Sequence, residues 1–134
     1  MQLVDTNILS ELMRAQPDSG VLRWLEDRQR VQPVLTISAI TVDEIMFGLS
    51  WRPTARLLTW LDAFLLRHQV LPVTADIARR SGELRGALQA QGQTRTQADM
   101  LIAATAQIHA LTIVTRNVRD FDHCGVGVLN PFAL

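Results

Sequence analysis

Short, mostly β-branched apolar runs alternate with helical patterns along the whole chain, and this alternation restricts the fold more than any other feature of the sequence. Residues 2–5, 34–37, 111–115 and 126–129 form such runs. Between them, apolar residues recur at helical spacing: Ile8, Leu9, Leu12 and Met13; Val21, Leu22 and Leu25 behind a capping Asp18; Ile77, Ala78, Leu84 and Leu88 before a stop at Gly92. Residues 99–110 are apolar nearly all round, which predicts a buried helix. Strand, helix and strand in succession imply parallel pairing through right-handed crossovers, with both sheet faces covered. The expected fold class is α/β, one domain over residues 1–134 with a parallel sheet of about four to five strands flanked by helices. Pro72, in the run over residues 70–73, suits an edge strand or a connector, because proline donates no ladder hydrogen bond.

Composition narrows the class further. A chain of 134 residues can bury a core without cross-links, and Cys124, the only cysteine, allows no internal disulfide. A hydrophobic fraction of 48% leaves room for one apolar face that a second copy would cover. No apolar run approaches the roughly 18 residues of a membrane helix, and no secretory pattern opens the chain, so a cytoplasmic protein is expected. Thirteen acids balance thirteen bases, which neither suggests nor excludes a nucleic-acid partner. All the bases are arginine; the absence of lysine excludes chemistry that needs a lysine amine, while arginine suits bidentate phosphate contact.

In a parallel sheet, helix N-termini and strand C-termini share one rim. Asp5 ends the first strand, Glu44 and Asp99 fall in the first turns of two helices, and Asn117 and Asp120 follow the strand over residues 111–115. All should face one crevice. A pure capping role competes for Glu44 and Asp99, since helix N-termini favour acids by roughly 0.3–1 kcal/mol. Thr41 and Glu44 have the spacing of a capping box, and Thr96 can cap the helix that carries Asp99. Asp5 is harder to explain in that way, because it follows a buried strand directly with Thr6 available as the cap. Clustered carboxylates without lysine repel one another, and a divalent cation relieves that conflict; an all-oxygen site fits Mg²⁺ or Mn²⁺ rather than zinc. His68, His109 and Cys124 lack zinc spacing, and Trp24, Trp51, Trp60 and Phe64 sit at helical spacing, as core or interface residues do.

The stretches Val4-Asp5-Thr6-Asn7-Ile8-Leu9-Ser10, Ser38 to Ile45, Asp99 to Ala106, Val114 to Phe121 and Val128 to Phe132, taken in order, resemble a PIN-domain ribonuclease, specifically the VapC-type toxin of bacterial toxin–antitoxin pairs. The resemblance implies that Asp5, Glu44 and Asp99 match the family's three most consistent acids. Asn117 stands where many relatives carry aspartate, and others have asparagine there with an acid three residues on, as at Asp120. Thr6 and Asn7 are expected to orient metal-bound water or a phosphate oxygen, with a plain helix-cap role as the alternative for Thr6; Arg116 is positioned to touch the scissile phosphate, with an ordinary surface role as its alternative. The implied activity is Mg²⁺-dependent endonucleolytic cleavage of RNA, in tRNA or ribosomal RNA. The implied partners are a cognate antitoxin covering the site, a second copy in a homodimer, and a larger assembly on operator DNA through the antitoxin. The apolar helices between Ile45 and Leu65 are candidates for the antitoxin groove. Two alternatives stand beside this. A receiver-type phosphoacceptor needs a lysine that the chain lacks; a non-catalytic PIN-like module binding RNA or a partner is left open by Asn117.

Overall fold

The structure, a computed structural model, describes residues 1–133. In chain order its elements are β1 (Gln2–Val4), α1 (Thr6–Leu12), α2 (Ser19–Val31), β2 (Thr36–Ser38), α3 (Ala39–Trp51), α4 (Ala55–Arg67), β3 (Gln69–Leu71), α5 (Ala75–Ala90), α6 (Gln97–His109), β4 (Thr112–Val114) and β5 (Val128–Leu129). A 3-10 turn over Val118–Phe121 links the last two strands. All pairing is parallel, as the alternation of elements requires. Hydrogen bonds join β1, β4 and β5 into one ladder with β4 in the middle, and β2 and β3 into a second. Because β2 lies beside β1, the strands follow one another in space as β3-β2-β1-β4-β5. The strand before Pro72 is indeed at an edge.

This order creates a switch point. From β1 the chain proceeds to β2 and β3 on one side, then returns through α5 and α6 to β4 on the other side of β1. Connections leave the adjacent strands β1 and β4 in opposite directions, so no crossover covers the space beyond their carboxyl ends. Asp5 and Thr115 are the residues that follow those ends.

Strand alternation then sorts the core into two layers. Leu3 and Ile113, paired across β1 and β4, point to one face and pack with Ile77, Leu84, Met100 and Ile102 of α5 and α6. Val4 and Val114, the next pair along, point to the other face against Ile8, Leu9, Val21, Ile45, Leu61 and Phe64 of α1 to α4. Burying each such side chain contributes roughly 1.5–3 kcal/mol before chain entropy is counted. The apolar residues of α3 and α4 offered as an antitoxin groove are therefore largely core: Ile45, Leu49, Leu61 and Phe64 are buried. What α3 leaves outside is Met46, Phe47 and Trp51, the last two 72% and 73% exposed.

Local signals set most helix boundaries. Asp18 caps α2 by accepting from Gly20 and Val21 N–H, and Thr96 caps α6 by accepting from Asp99 N–H. Thr41 and Glu44 do not form a capping box. Ser38, at the end of β2, is already the cap of α3 through Ile40 N–H at 3.0 Å, which places Thr41 inside the helix and fully buried. The Asp18 carboxylate also accepts from Ala133 N–H at 3.0 Å, drawing the C-terminal segment across the start of α2. Gly20 makes that approach possible, since a Cβ there would stand 2.5 Å from the Pro131 carbonyl oxygen and 2.9 Å from the Phe132 carbonyl carbon. Gly20→Ala should therefore lower stability by about 1–3 kcal/mol, read as a lower urea midpoint, unless residues 131–133 detach. Increased proteolysis of the C-terminal segment would reveal the second outcome.

Candidate active site

Asp5, Thr6, Asn7, Ser10, Glu11, Arg14, Glu44, Asp99 and Asn117 line one cleft of about 390 Å³ at the switch point. Helix α1 sends Ile8, Leu9 and Leu12 into the core, so its opposite face presents Thr6, Asn7 and Ser10 to this cleft. The structure thus brings together all three acids singled out in the sequence, together with Thr6, Asn7 and Asn117. Asp120 does not line the cleft; it lies in the 3-10 turn near Asp99, and its charge helps to raise the Asp99 pKa. Arg116 is placed differently from expectation. Its guanidinium stacks 4.6 Å from the centroid of the Phe132 ring, off the cleft, because the C-terminal segment folds back beside it.

Asp5 is the centre of the network and only 5% exposed. Its Oδ1 accepts from Thr6 N–H at 2.8 Å, and its Oδ2 accepts from the Thr115 hydroxyl at 2.8 Å and the Asn7 amide at 3.2 Å. The Asn7 amide is fully committed: Nδ2 also donates to Thr115 Oγ1 at 3.2 Å, and Oδ1 accepts from Arg116 N–H at 3.1 Å. Asn7 accordingly positions Asp5 rather than offering a free amide to the cleft. Thr115 Oγ1 further accepts from Asn117 N–H at 3.0 Å, which ties the loop after β4 to the same carboxylate. Thr115 carries no mark of a site residue in the sequence, and Thr41 reads there only as half of a capping box. Alignment of Val4 with Val114 across β1 and β4 is the signal that would have put Thr115 beside Asp5.

Glu44 reaches in from α3, where Thr6 Oγ1 donates to its Oε1 at 2.6 Å and stands 3.0 Å from Thr41 Oγ1. Since one hydroxyl carries one proton, the Thr41 hydroxyl donates to Thr6 and Thr6 to Glu44. Asp43, the next residue, is exposed, as the 100° turn between neighbours on a helix requires.

Burial dominates the electrostatics. It pushes the Asp5 carboxyl up to about 6, against the Thr115 and Thr6 hydrogen bonds that favour the ionised form, with smaller upward contributions from the charges of Asp99 and Glu44. Asp99 is raised as well, again by burial first and then by Asp120 and Glu44. Among the described residues none of the three acids forms an ion pair with a basic side chain. Such a set of hard oxygen donors suits a divalent cation that wants oxygen ligands. The side chains are not already drawn into a closed cage, since no three acidic, histidine or cysteine side chains among the described residues enclose an ion position.

Thr115→Val tests the network from within. Val keeps the shape but removes the donor to Asp5 and leaves the Asn7 amide and Asn117 N–H one acceptor short. The Asp5 carboxyl should titrate higher still by carbon-detected NMR, with a loss of about 1–3 kcal/mol in stability.

Comparison with known proteins agrees with this fold. The PIN domain family profile matches residues 3–126, and the chain belongs to the PIN-domain family. Within it, the chain is similar to VapC-type ribonucleases. It is 36% identical to VapC ribonuclease Y4jK of Sinorhizobium fredii, over 98% of each chain. It is 32% identical to the tRNA(fMet)-specific endonuclease VapC of Shigella flexneri, over 92% of this chain and 91% of that one. Solved structures that it resembles are toxin–antitoxin complexes; FitAcB from Neisseria gonorrhoeae superposes with a TM-score of 0.82 at 32% identity over the whole of both chains. Among the described residues no helix is long and apolar enough to cross a membrane.

Proposed function

We propose that the chain is a divalent-cation-dependent endoribonuclease, the toxin of a toxin–antitoxin pair, hydrolysing phosphodiester bonds of structured RNA, tRNA or ribosomal RNA. One observation carries this reading: a buried, hydrogen-bonded Asp5 at the switch point shares a cleft with Glu44 and Asp99, and among the described residues none of the three forms an ion pair with a basic side chain. Asp5, Glu44 and Asp99 would hold Mg²⁺ or Mn²⁺, with Asn117 as an uncharged fourth oxygen donor and Asp120 acting on Asp99 through its charge. The cation would supply an acidified water as nucleophile and a Lewis acid for the phosphoryl oxygens.

The chain's own residues do the remaining work. Thr115, Thr6 and Asn7 fix both oxygens of Asp5, so its carboxylate cannot swing away from the cleft. Thr6 holds Glu44 across from it, and both Thr6 and Asn7 line the cleft, where they can also face substrate. The names of the relatives, a ribonuclease and a tRNA-specific endonuclease, support RNA as the substrate. Exposed Phe47 and Trp51 support burial of α3 against the antitoxin or a second copy in a homodimer.

A second reading, a non-catalytic PIN-like module, is favoured by the uncharged Asn117 and by acids that are not drawn into a cage. The two separate in one experiment. Antitoxin-free protein incubated with end-labelled tRNA and rRNA fragments should cut them in Mg²⁺ and leave them whole in chelator. Intact RNA in both conditions, with binding retained, would select the module.

A further inference from the structure

Beyond the three acids, the cleft wall carries one cation. Arg14, just past α1, is the only basic residue among the described residues that lines it, and its side chain is 65% exposed. It is held at a fixed place. Glu11, buried beneath it, binds Arg14 Nη1 through both carboxylate oxygens at 3.1 and 3.2 Å and accepts from Asp18 N–H at 2.8 Å. Among the described residues Arg14 Nε and Nη2 have no hydrogen-bond partner, so part of its fork remains available to a ligand.

Arg14 and Ser10 also line a second depression, of about 470 Å³, beside the cleft between the end of α1 and the start of α4. Arg56 lines it too, with Nη1 donating to the Met13 carbonyl at 3.4 Å, as do the apolar Met13, Ala15 and Leu57. Two anchored arginines among apolar residues, sharing Ser10 and Arg14 with an acid cleft, match the chemistry of a nucleic-acid strand: phosphates for the forks, a base face for the apolar surface.

We infer that this groove is a track for the RNA substrate beside the scissile bond, with Arg14 and Arg56 each contacting a backbone phosphate and Glu11 positioning Arg14. The track rests on the nuclease reading above and extends it to the path of the strand. It also supplies the phosphate-binding arginine that Arg116, stacked on Phe132, does not.

The test is binding of a fluorescein-labelled single-stranded RNA of about ten nucleotides, followed by anisotropy across a salt series in chelator, where nothing is cut. Arg14→Ala and Arg56→Ala should each weaken binding roughly fivefold or more and lower the slope of log Kd against log salt by about 0.7, the contribution of one phosphate contact on a single strand. Glu11→Gln should weaken binding less, and Arg14→Lys should restore part of the affinity and all of the slope. Arg79→Ala, an exposed arginine of α5 away from the groove, should change nothing. In Mg²⁺, Arg14→Ala should raise KM for RNA cleavage more than it lowers kcat. Unchanged affinity and slope in both alanine variants, with wild type binding normally, would overturn the track alone. Variants that bind RNA normally but lose the antitoxin would assign the groove to protein docking, and the track would again be wrong. A wild type that binds tRNA but not this single strand would overturn the track alone; one that binds neither, in chelator or in Mg²⁺, would overturn the nuclease reading and the track with it.

Discussion

Asp99→Asn should lower RNA cleavage at saturating Mg²⁺ by roughly a thousandfold or more while the protein folds normally. The fold should survive because the cap of α6 is made by the Thr96 hydroxyl to Asp99 N–H, which the substitution leaves in place, and because Asp99 lies at the rim rather than in the core. Loss of one of the three carboxylates would remove both affinity for the cation and charge for the reaction. Asp43→Asn is the matched control: adjacent to Glu44 in sequence, exposed and outside the cleft, it should leave kcat within about twofold of wild type, the background expected of a surface change. Comparable losses in both variants, or none in either, would remove Asp99 from the machinery. Circular dichroism and the thermal midpoint decide whether either variant has simply unfolded.

The second large effect is in stability. An Asp5 carboxyl raised to about 6 makes the ionised form cost the folded state about 3 kcal/mol relative to an ordinary aspartate. The sign follows from proton uptake. Between the usual carboxylate range and pH 6 the folded chain binds a proton that the unfolded chain has released, so this contribution to stability falls as pH rises through that window and is level above it. Comparison of cation-free wild type with Asp5→Asn isolates it: the difference in unfolding free energy should favour wild type by about 2 kcal/mol more at pH 4.5 than at pH 7.5. A bound divalent cation should reverse the trend, since it prefers the ionised carboxylate. Its stabilisation should be weak at pH 5 and grow toward pH 7.5. Denaturant titrations at the two pH values, in chelator and in Mn²⁺, measure both halves of this expectation.

What the sequence disclosed was the periodic part of the molecule. The alternation of strands and helices specifies parallel pairing, and the rim that strand C-termini and helix N-termini share in such a sheet brings Asp5, Glu44 and Asp99 to one cleft. Asp18 and Thr96 also cap the helices that their types and positions indicate. The misplacements have particular physical causes. Thr41 and Glu44 mimic a capping box because both residue types and the spacing are right, but the helix has already been started by Ser38 three residues earlier. Arg116 follows a functional strand and so reads as a phosphate contact; its side chain is drawn to Phe132 by a C-terminal segment whose path depends on Asp18 and Gly20, over a hundred residues away in the chain. Thr115 was passed over because a threonine at the end of a strand is unremarkable until the register pairs its neighbour with that of Asp5. Glu11 and Arg14 form an i, i+3 pair that looks like solvated surface, and only the burial of Glu11 distinguishes it.

The central claim is that Asp5, Glu44 and Asp99 together form a divalent-cation site, and calorimetric titration of antitoxin-free protein with Mn²⁺ at pH 7.5 tests it most directly. Saturable binding to wild type, lost in an Asp5→Asn, Asp99→Asn double variant that still unfolds cooperatively, is the predicted result. Equal binding isotherms for the two proteins, or no binding heat and no shift in thermal midpoint for wild type at millimolar Mn²⁺, would contradict it.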